Sequence, residues 1–162
     1  MTARPAIRKA RPEDLAPLAR LWHDAWHEAH GHLVPPELVD LRTLDDFRAR
    51  LPALQPMIRT AGPVGAPLGF CATRADEMYQ LFLAPDARGT GLAALLLSDA
   101  EARIAANGAS VAWLDIAIGN DRAERFYIRQ GWAIARTETV QLDTATGTFP
   151  LHAKVLTKRV TA

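Results

Sequence analysis

The chain has 162 residues, of which 49% are apolar and 23% charged, with a formal net charge of +1. That is enough chain for one domain with its own core, and the balanced charge gives no general attraction to nucleic acid or to an anionic membrane. No apolar run approaches the ~20 residues of a membrane span, and the opening MTARPAIRKARPED lacks an apolar signal core, so neither a membrane nor a nucleic-acid partner is expected and the cytoplasm is the default location.

Ala6–Ala10 reads as a short strand. Pro12 and the acids Glu13 and Asp14 then favour a helix start, and Leu15, Leu18, Ala19, Trp22 and Trp26 keep helical spacing to about His30, where Gly31 stops the helix. Pro35-Pro36 opens a second helical stretch through Leu38, Leu41 and Leu44 to Leu51, interrupted by Pro52. Residues 56–60 and 68–74 read as a hairpin across Gly62-Pro63-Val64-Gly65. Cys71 lies in the second of these strands; as the one cysteine it excludes an internal disulfide, and it reads as a buried, inert thiol.

Glu77–Leu83 follows as a strand, and Leu92, Leu96, Ala100 and Ile104 mark one apolar helix face that ends at Asn107-Gly108. Between them lies Pro85-Asp86-Ala87-Arg88-Gly89-Thr90-Gly91. Two glycines at a helix start let backbone N–H groups turn outward beside the positive end of the helix dipole, which makes an anion site, and Arg88 adds a fixed charge at its rim. Val111–Ile118 is a continuous apolar strand expected to be buried on both faces. A helix from about Arg122 to Arg129 follows Gly119-Asn120, and two strands, 133–142 and 148–156, close the chain around a turn at 144–147.

Arg88, Gly91 and Ala93 fill the spacing of Arg or Gln, two residues, Gly, one residue, Gly or Ala, which resembles the acetyl-CoA loop of the GNAT N-acetyltransferase superfamily. Asn120, Ala123, Phe126-Tyr127 and Gly131-Trp132 are similar to a second run of that family. The element order agrees over nearly the whole chain. The resemblance implies one α/β domain over residues 1–162: a predominantly antiparallel mixed sheet with a central, splayed parallel strand pair flanked by helices. It also implies acetyl-CoA as cosubstrate, without a metal, and a small-molecule or peptide amine as acceptor in a ternary complex. The oligomeric state, a homodimer included, stays open.

Acetyl transfer needs a neutral amine, a backbone N–H facing the thioester oxygen as it gains charge, and an acid to protonate the departing thiolate. By resemblance, Gly89, Thr90, Gly91, Leu92 and Ala93 hold the pyrophosphate with Arg88, while Phe82, Leu83, Asn120 and Phe126 line the pantetheine path and an N–H near Leu83 serves the oxyanion. Tyr127 matches the family's acid beside the thiol. Glu77 heads the strand where a general base often stands, and Asp115 is a second candidate. Trp22 and Trp26 are expected in the acceptor pocket.

Gly89-Thr90-Gly91-Leu92-Ala93-Ala94 also fits the dinucleotide fingerprint G-x-G-x-x-A, with Asp115 at the ~20-residue distance of a ribose-binding acid. Against a nicotinamide oxidoreductase, Ala84–Arg88 intervene between strand and first glycine. A third alternative is an acetyl-CoA-binding module without turnover. His23 and His27 share a helix face, with His30 and His32 nearby, but no cysteine or acid-rich set completes a metal ligand group.

Overall fold

The computed structural model describes residues 5–161. Seven strands form one sheet in the order β1-β2-β3-β4-β5-β7-β6. They are β1 (Ile7–Lys9), β2 (Ile58–Ala61), β3 (Gly69–Arg74), β4 (Glu77–Leu83), β5 (Val111–Ala117), β6 (Ala133–Thr144) and β7 (Gly147–Arg159). Every neighbouring pair is antiparallel except β4 and β5, which are parallel. The right-handed crossover expected of a parallel pair carries the helix between them.

Helices cover both faces. On one side lie α1 (Leu15–His30), α2 (Pro36–Leu41) and α3 (Leu44–Leu54), and their apolar stripes meet the sheet around Leu18, Trp22, Leu38, Phe47, Ile58 and Phe70. On the other side α4 (Leu92–Ala106) buries Leu92, Leu96, Leu97, Ala100 and Ile104 against Cys71, Met78 and Leu114. The last helix, α5 (Asp121–Arg129), joins this second core through Tyr127.

Four local readings differ from the sequence expectation. The stretch 35–51 divides at Arg42-Thr43, because Thr43 caps α3 by accepting from the Asp46 N–H at 3.1 Å. Pro52 does not interrupt α3, which runs on to Leu54; the hydrogen bond it removes is the one to Arg48, an exposed residue of that helix. β5 is not buried on both faces: Ala112, Leu114 and Ile116 are, while Trp113 and Asp115 are half-buried. The final hairpin has the expected turn, closing at Thr144↔Gly147 with the Ala145 N–H donating to Asp46 Oδ1 at 2.6 Å, but its strands run further than expected, to Thr144 and to Arg159.

One irregularity positions everything that follows. Ala72 pairs with Gln80 but Thr73 pairs with Met78, so Tyr79 is the extra residue of a β-bulge in β4. A bulge bends and over-twists its strand. On its other edge β4 meets β5 at one register pair, Glu77↔Trp113, with the Trp113 N–H donating to Asp76 O at 3.1 Å, and beyond that point the strands part.

Candidate active site

The parted strands leave backbone donors unused. The Ala84 N–H donates to Leu68 O at 2.9 Å, toward β3. Backbone groups alternate along a strand, so the N–H groups of Leu83 and Leu81 point the other way, into the gap toward β5. Sequence reasoning placed the donor near Leu83, and the structure gives two residues there, Leu81 and Leu83, with the same N–H direction.

At the far end of β4 a 3-10 turn (Pro85–Ala87) leads into the glycine loop. Gly89 and Gly91 have φ of +74° and +87°, and a Cβ at either would meet nothing within 4 Å, so both lie in the left-handed region and face open space. The Thr90 hydroxyl ties the loop by donating to Ala87 O at 2.5 Å. Among the described residues no acceptor is paired with the N–H groups of Gly89, Thr90, Gly91, Ala93 or Ala94, so five donors converge at the N-terminus of α4.

Arg88 does not stand free at this rim. Its guanidinium makes a bidentate pair with Glu28 of α1, at 2.7 and 2.9 Å. That carboxylate offsets the charge Arg88 would offer a phosphate. Glu28→Gln is therefore expected to tighten coenzyme A binding by roughly two- to fivefold, in keeping with the ~0.2–1 kcal/mol of an exposed ion pair; calorimetry checks this, and weaker binding would mean that Glu28 is needed to aim Arg88.

A cavity of about 780 Å³ joins these parts. It runs from Arg88, Gly89, Gly91 and Ala93, past Phe82, Leu83, Asn120, Phe126 and Tyr127, to Trp26, His30 and Leu38. Thr90 and Leu92 are not among its lining residues; Thr90 braces the loop and Leu92 is buried in the core. Asn120 caps α5, its side chain accepting from the Ala123 N–H at 3.3 Å. Trp22 does not reach the cavity: it is 1% exposed, packed on Phe47 and Phe70 with the Arg50 guanidinium 4.4 Å above its ring. Helical spacing alone could not separate it from Trp26, one turn on, which does line the cavity.

Tyr127 packs edge-on against Phe126 and Trp132, at centroid distances of 5.1 and 6.1 Å. Its hydroxyl makes no hydrogen bond among the described residues, and burial, with Cys71 and Asp115 nearby, raises its pKa further, so it is a protonated phenol at neutral pH. Cys71 is itself fully buried, donating to Leu96 O at 3.3 Å, with its thiol pushed up to about 11 by burial.

A second cavity, about 250 Å³, adjoins the first and shares Arg42, Tyr79, Gln80, Asp115 and Leu142 with it. Glu77 lines only this smaller one. Burial raises Glu77 from an ordinary 4.5 to about 7, against the pull of Arg74 at 3.2 Å, and raises Asp115 from 3.8 to about 6. A raised carboxyl pKa means the folded state binds protons that the unfolded state has released, so stability falls as pH rises through the window from about 4 to about 7. Urea titrations across that range should show this loss in the wild type and a shallower one in Glu77→Gln; a flat wild-type profile would contradict the burial of both acids.

Sequence reasoning missed the arginines here: Asp46, four residues from each, reads as an ordinary helix-face ion pair, and their other partners, Asp143 and Tyr79, are distant in the chain. Arg42 is 4% exposed, donates to Asp46 Oδ2 at 3.1 Å and Asp143 O at 2.6 Å, and leaves its buried Nε without a partner. Arg50 donates to Asp46 at 3.3 Å and to the Tyr79 hydroxyl at 2.9 Å. Of the histidines in and after α1, His23 and His27 pack with ring centroids 4.5 Å apart and planes tilted by 46°, the His27 Nε2 meets Arg42 O at 2.6 Å, and among the described residues no set of three or more His, Cys, Asp or Glu is arranged to hold a metal ion. No helix of the described residues is long and apolar enough to cross a membrane.

Comparison with known proteins decides what this architecture is. The acetyltransferase (GNAT) family profile matches residues 15–132, nearly three-quarters of the chain. The chain belongs to the GNAT acetyltransferase family. Uncharacterized N-acetyltransferases of Mycobacterium bovis and Mycobacterium tuberculosis are 41% identical over 66 residues, a segment that is 41% of this chain and 42% of each relative, so the alignment spans less than half the length of these relatives. Among solved GNAT structures, a GCN5-related N-acetyltransferase from Rhodopseudomonas palustris superposes with a TM-score of 0.75 over 98% of both chains, at 23% identity. PaiA N-acetyltransferase of Thermoplasma acidophilum, in complex with coenzyme A, gives 0.68 at 18% identity, covering 97% of this chain and 99% of that one. YncA of Salmonella typhimurium with acetyl-CoA gives 0.66 at 17% identity, covering 99% and 96%. The mixed sheet and its splayed pair are thus the GNAT fold.

Proposed function

We propose that this GNAT protein transfers the acetyl group of acetyl-CoA to an amine by direct attack in a ternary complex. The observation that carries the reading is the gap between β4 and β5, with unpaired strand donors at its wall and five unpaired loop amides at its end, both opening on one cavity. The Gly89–Ala94 amides suit a pyrophosphate, with Arg88 beside them. The pantetheine arm follows Leu83, Asn120 and Phe126 into the gap. The N–H of Leu83 or Leu81 stabilises the oxygen that gains charge during attack, and the Tyr127 hydroxyl gives its proton to the departing thiolate.

The amine approaches from the Trp26 side and must lose a proton. Asp115 lines both cavities and Glu77 only the smaller, so Asp115 receives the proton through water and Glu77 serves as its partner behind it. With ordinary values displaced to about 6 and about 7, both acids are ionised enough near neutrality to act as bases. Activity should rise with pH through that window as they ionise. Asp115→Asn should remove this limb of the kcat/KM profile and Glu77→Gln should shift it; unchanged profiles in both would leave proton removal to solvent.

Adding acetyl-CoA with a panel of amines, and watching free thiol appear alongside N-acetylated product, tests the reaction itself. An acetyl-CoA-binding module would bind without releasing thiol. A nicotinamide enzyme would bind NAD in preference to coenzyme A.

A further inference from the structure

We infer that the acceptor is a small amino-acid-type molecule, an amine that also carries a carboxylate, with the carboxylate held at Arg42 and Arg50 and the ammonium facing Asp115 and Glu77. The inference rests on the acetyl-transfer reading above and names the substrate class of that site. It begins from the mixed charge of the smaller cavity, which is lined by Arg42, Arg50 and Arg74 and by Glu77, Asp115, Glu138 and Asp143, with Arg74 paired to Glu77 and Asp143 and Arg42 and Arg50 left to Asp46.

The arginine side is not neutralised by its own partners. Asp46 is shared: its Oδ2 accepts from both Arg42 and Arg50, and its Oδ1 is taken by the Ala145 N–H. One carboxylate between two guanidiniums leaves a positive charge. Asp143 does not supply the balance, since its carboxylate is engaged by Arg74 at 2.5 Å and by the Tyr79 hydroxyl at 2.9 Å; Arg42 meets only its backbone oxygen. The Arg42 Nε is buried with no acceptor at all, although the residue lines both cavities. An ionised, buried donor left unpaired is costly, and a planar carboxylate is the shape that a guanidinium edge accepts with two hydrogen bonds.

The cavity's size and sharing narrow the ligand. About 250 Å³ suits a small molecule and excludes a folded protein surface from this compartment. Because Arg42, Tyr79, Gln80, Asp115 and Leu142 belong to both cavities, a molecule anchored at the arginines can present its amine at the mouth of the larger one, beside Asp115. A diamine of the same length would place its second cation against Arg42 and Arg50, so the same charges that select a carboxylate reject a polyamine.

The test compares matched substrates in the intact protein. Free amino acids, α and ω, are each assayed against their carboxamides and against diamines of similar length, with acetyl-CoA saturating and thiol release as readout. The best amino acid is expected to exceed its carboxamide by tenfold or more in kcat/KM, chiefly through KM, and Arg42→Met should collapse that ratio toward one. Should Arg42→Met fail to fold, Arg42→Lys, which keeps charge but loses the planar edge, should reduce the ratio severalfold. Amides or diamines acetylated as well as the acids would overturn the carboxylate inference while leaving acetyl transfer standing. If no amine gives thiol, calorimetry of the same amino acids against the coenzyme A-saturated protein decides the inference separately: binding weakened tenfold or more by amidation supports it, and no preference for the acid refutes it.

Discussion

A folded Gly91→Asp protein should lose acetyl-CoA affinity by at least roughly a hundredfold. Gly91 sits at the N-cap of α4 with φ +87°, its carbonyl accepting from the Leu95 N–H at 3.2 Å, and a Cβ there meets no atom within 4 Å. Aspartate has room at this position and is among the residues that tolerate left-handed backbone, so the fold survives. Its carboxylate, however, lies beside the Ala93 and Ala94 amides, where it caps the helix itself and repels a pyrophosphate. Gly91→Ala separates the two effects: it carries the backbone strain, about 1–2 kcal/mol, without the charge, and should bind nearly as well as the wild type. Unchanged acetyl-CoA affinity of folded Gly91→Asp by calorimetry would remove the loop from the coenzyme site.

The second large effect belongs to chemistry and not to binding. Tyr127→Phe keeps the ring that packs between Phe126 and Trp132 and removes a hydroxyl with no partner among the described residues. Stability should change by no more than about 1 kcal/mol, since no intramolecular hydrogen bond is lost. Turnover should fall by roughly 10²–10⁴-fold if proton donation to the thiolate limits the rate, with the KM for acetyl-CoA little altered. Wild-type turnover in single-turnover kinetics of Tyr127→Phe would return this tyrosine to a packing role.

Much of this architecture is legible in the chain because local chemistry and global fold agree there. The strand Glu77–Leu83 and the helix beginning at Leu92 have the bounds expected from their apolar patterns, and the left-handed backbone at Gly89 and Gly91 is the conformation that two glycines at a helix start are suited to adopt. The limits lie where tertiary contacts override local preference. Pro52 stays inside α3, and the turn of the last hairpin is tied down by Asp46, far back in the chain, which accepts from the Ala145 N–H. The same long reach hides the arginine cluster: Arg42 meets Asp143, and Arg50 meets Tyr79, only once α2 and α3 fold over the β4–β5 end of the sheet. Burial, too, is invisible in sequence, and it is burial that makes Glu77 and Asp115 weak acids and sends Trp22 into the core while Trp26 lines the cavity.

The central claim is that an amine attacks acetyl-CoA lying between β4 and β5, and it is tested most directly by following coenzyme A thiol and N-acetylated amine together in one reaction. The protein should release thiol and acetylated product in equal amounts, at a rate that depends on the amine and collapses in Tyr127→Phe. Binding of acetyl-CoA without amine-dependent thiol release, across free amino acids, diamines and peptides, would contradict it.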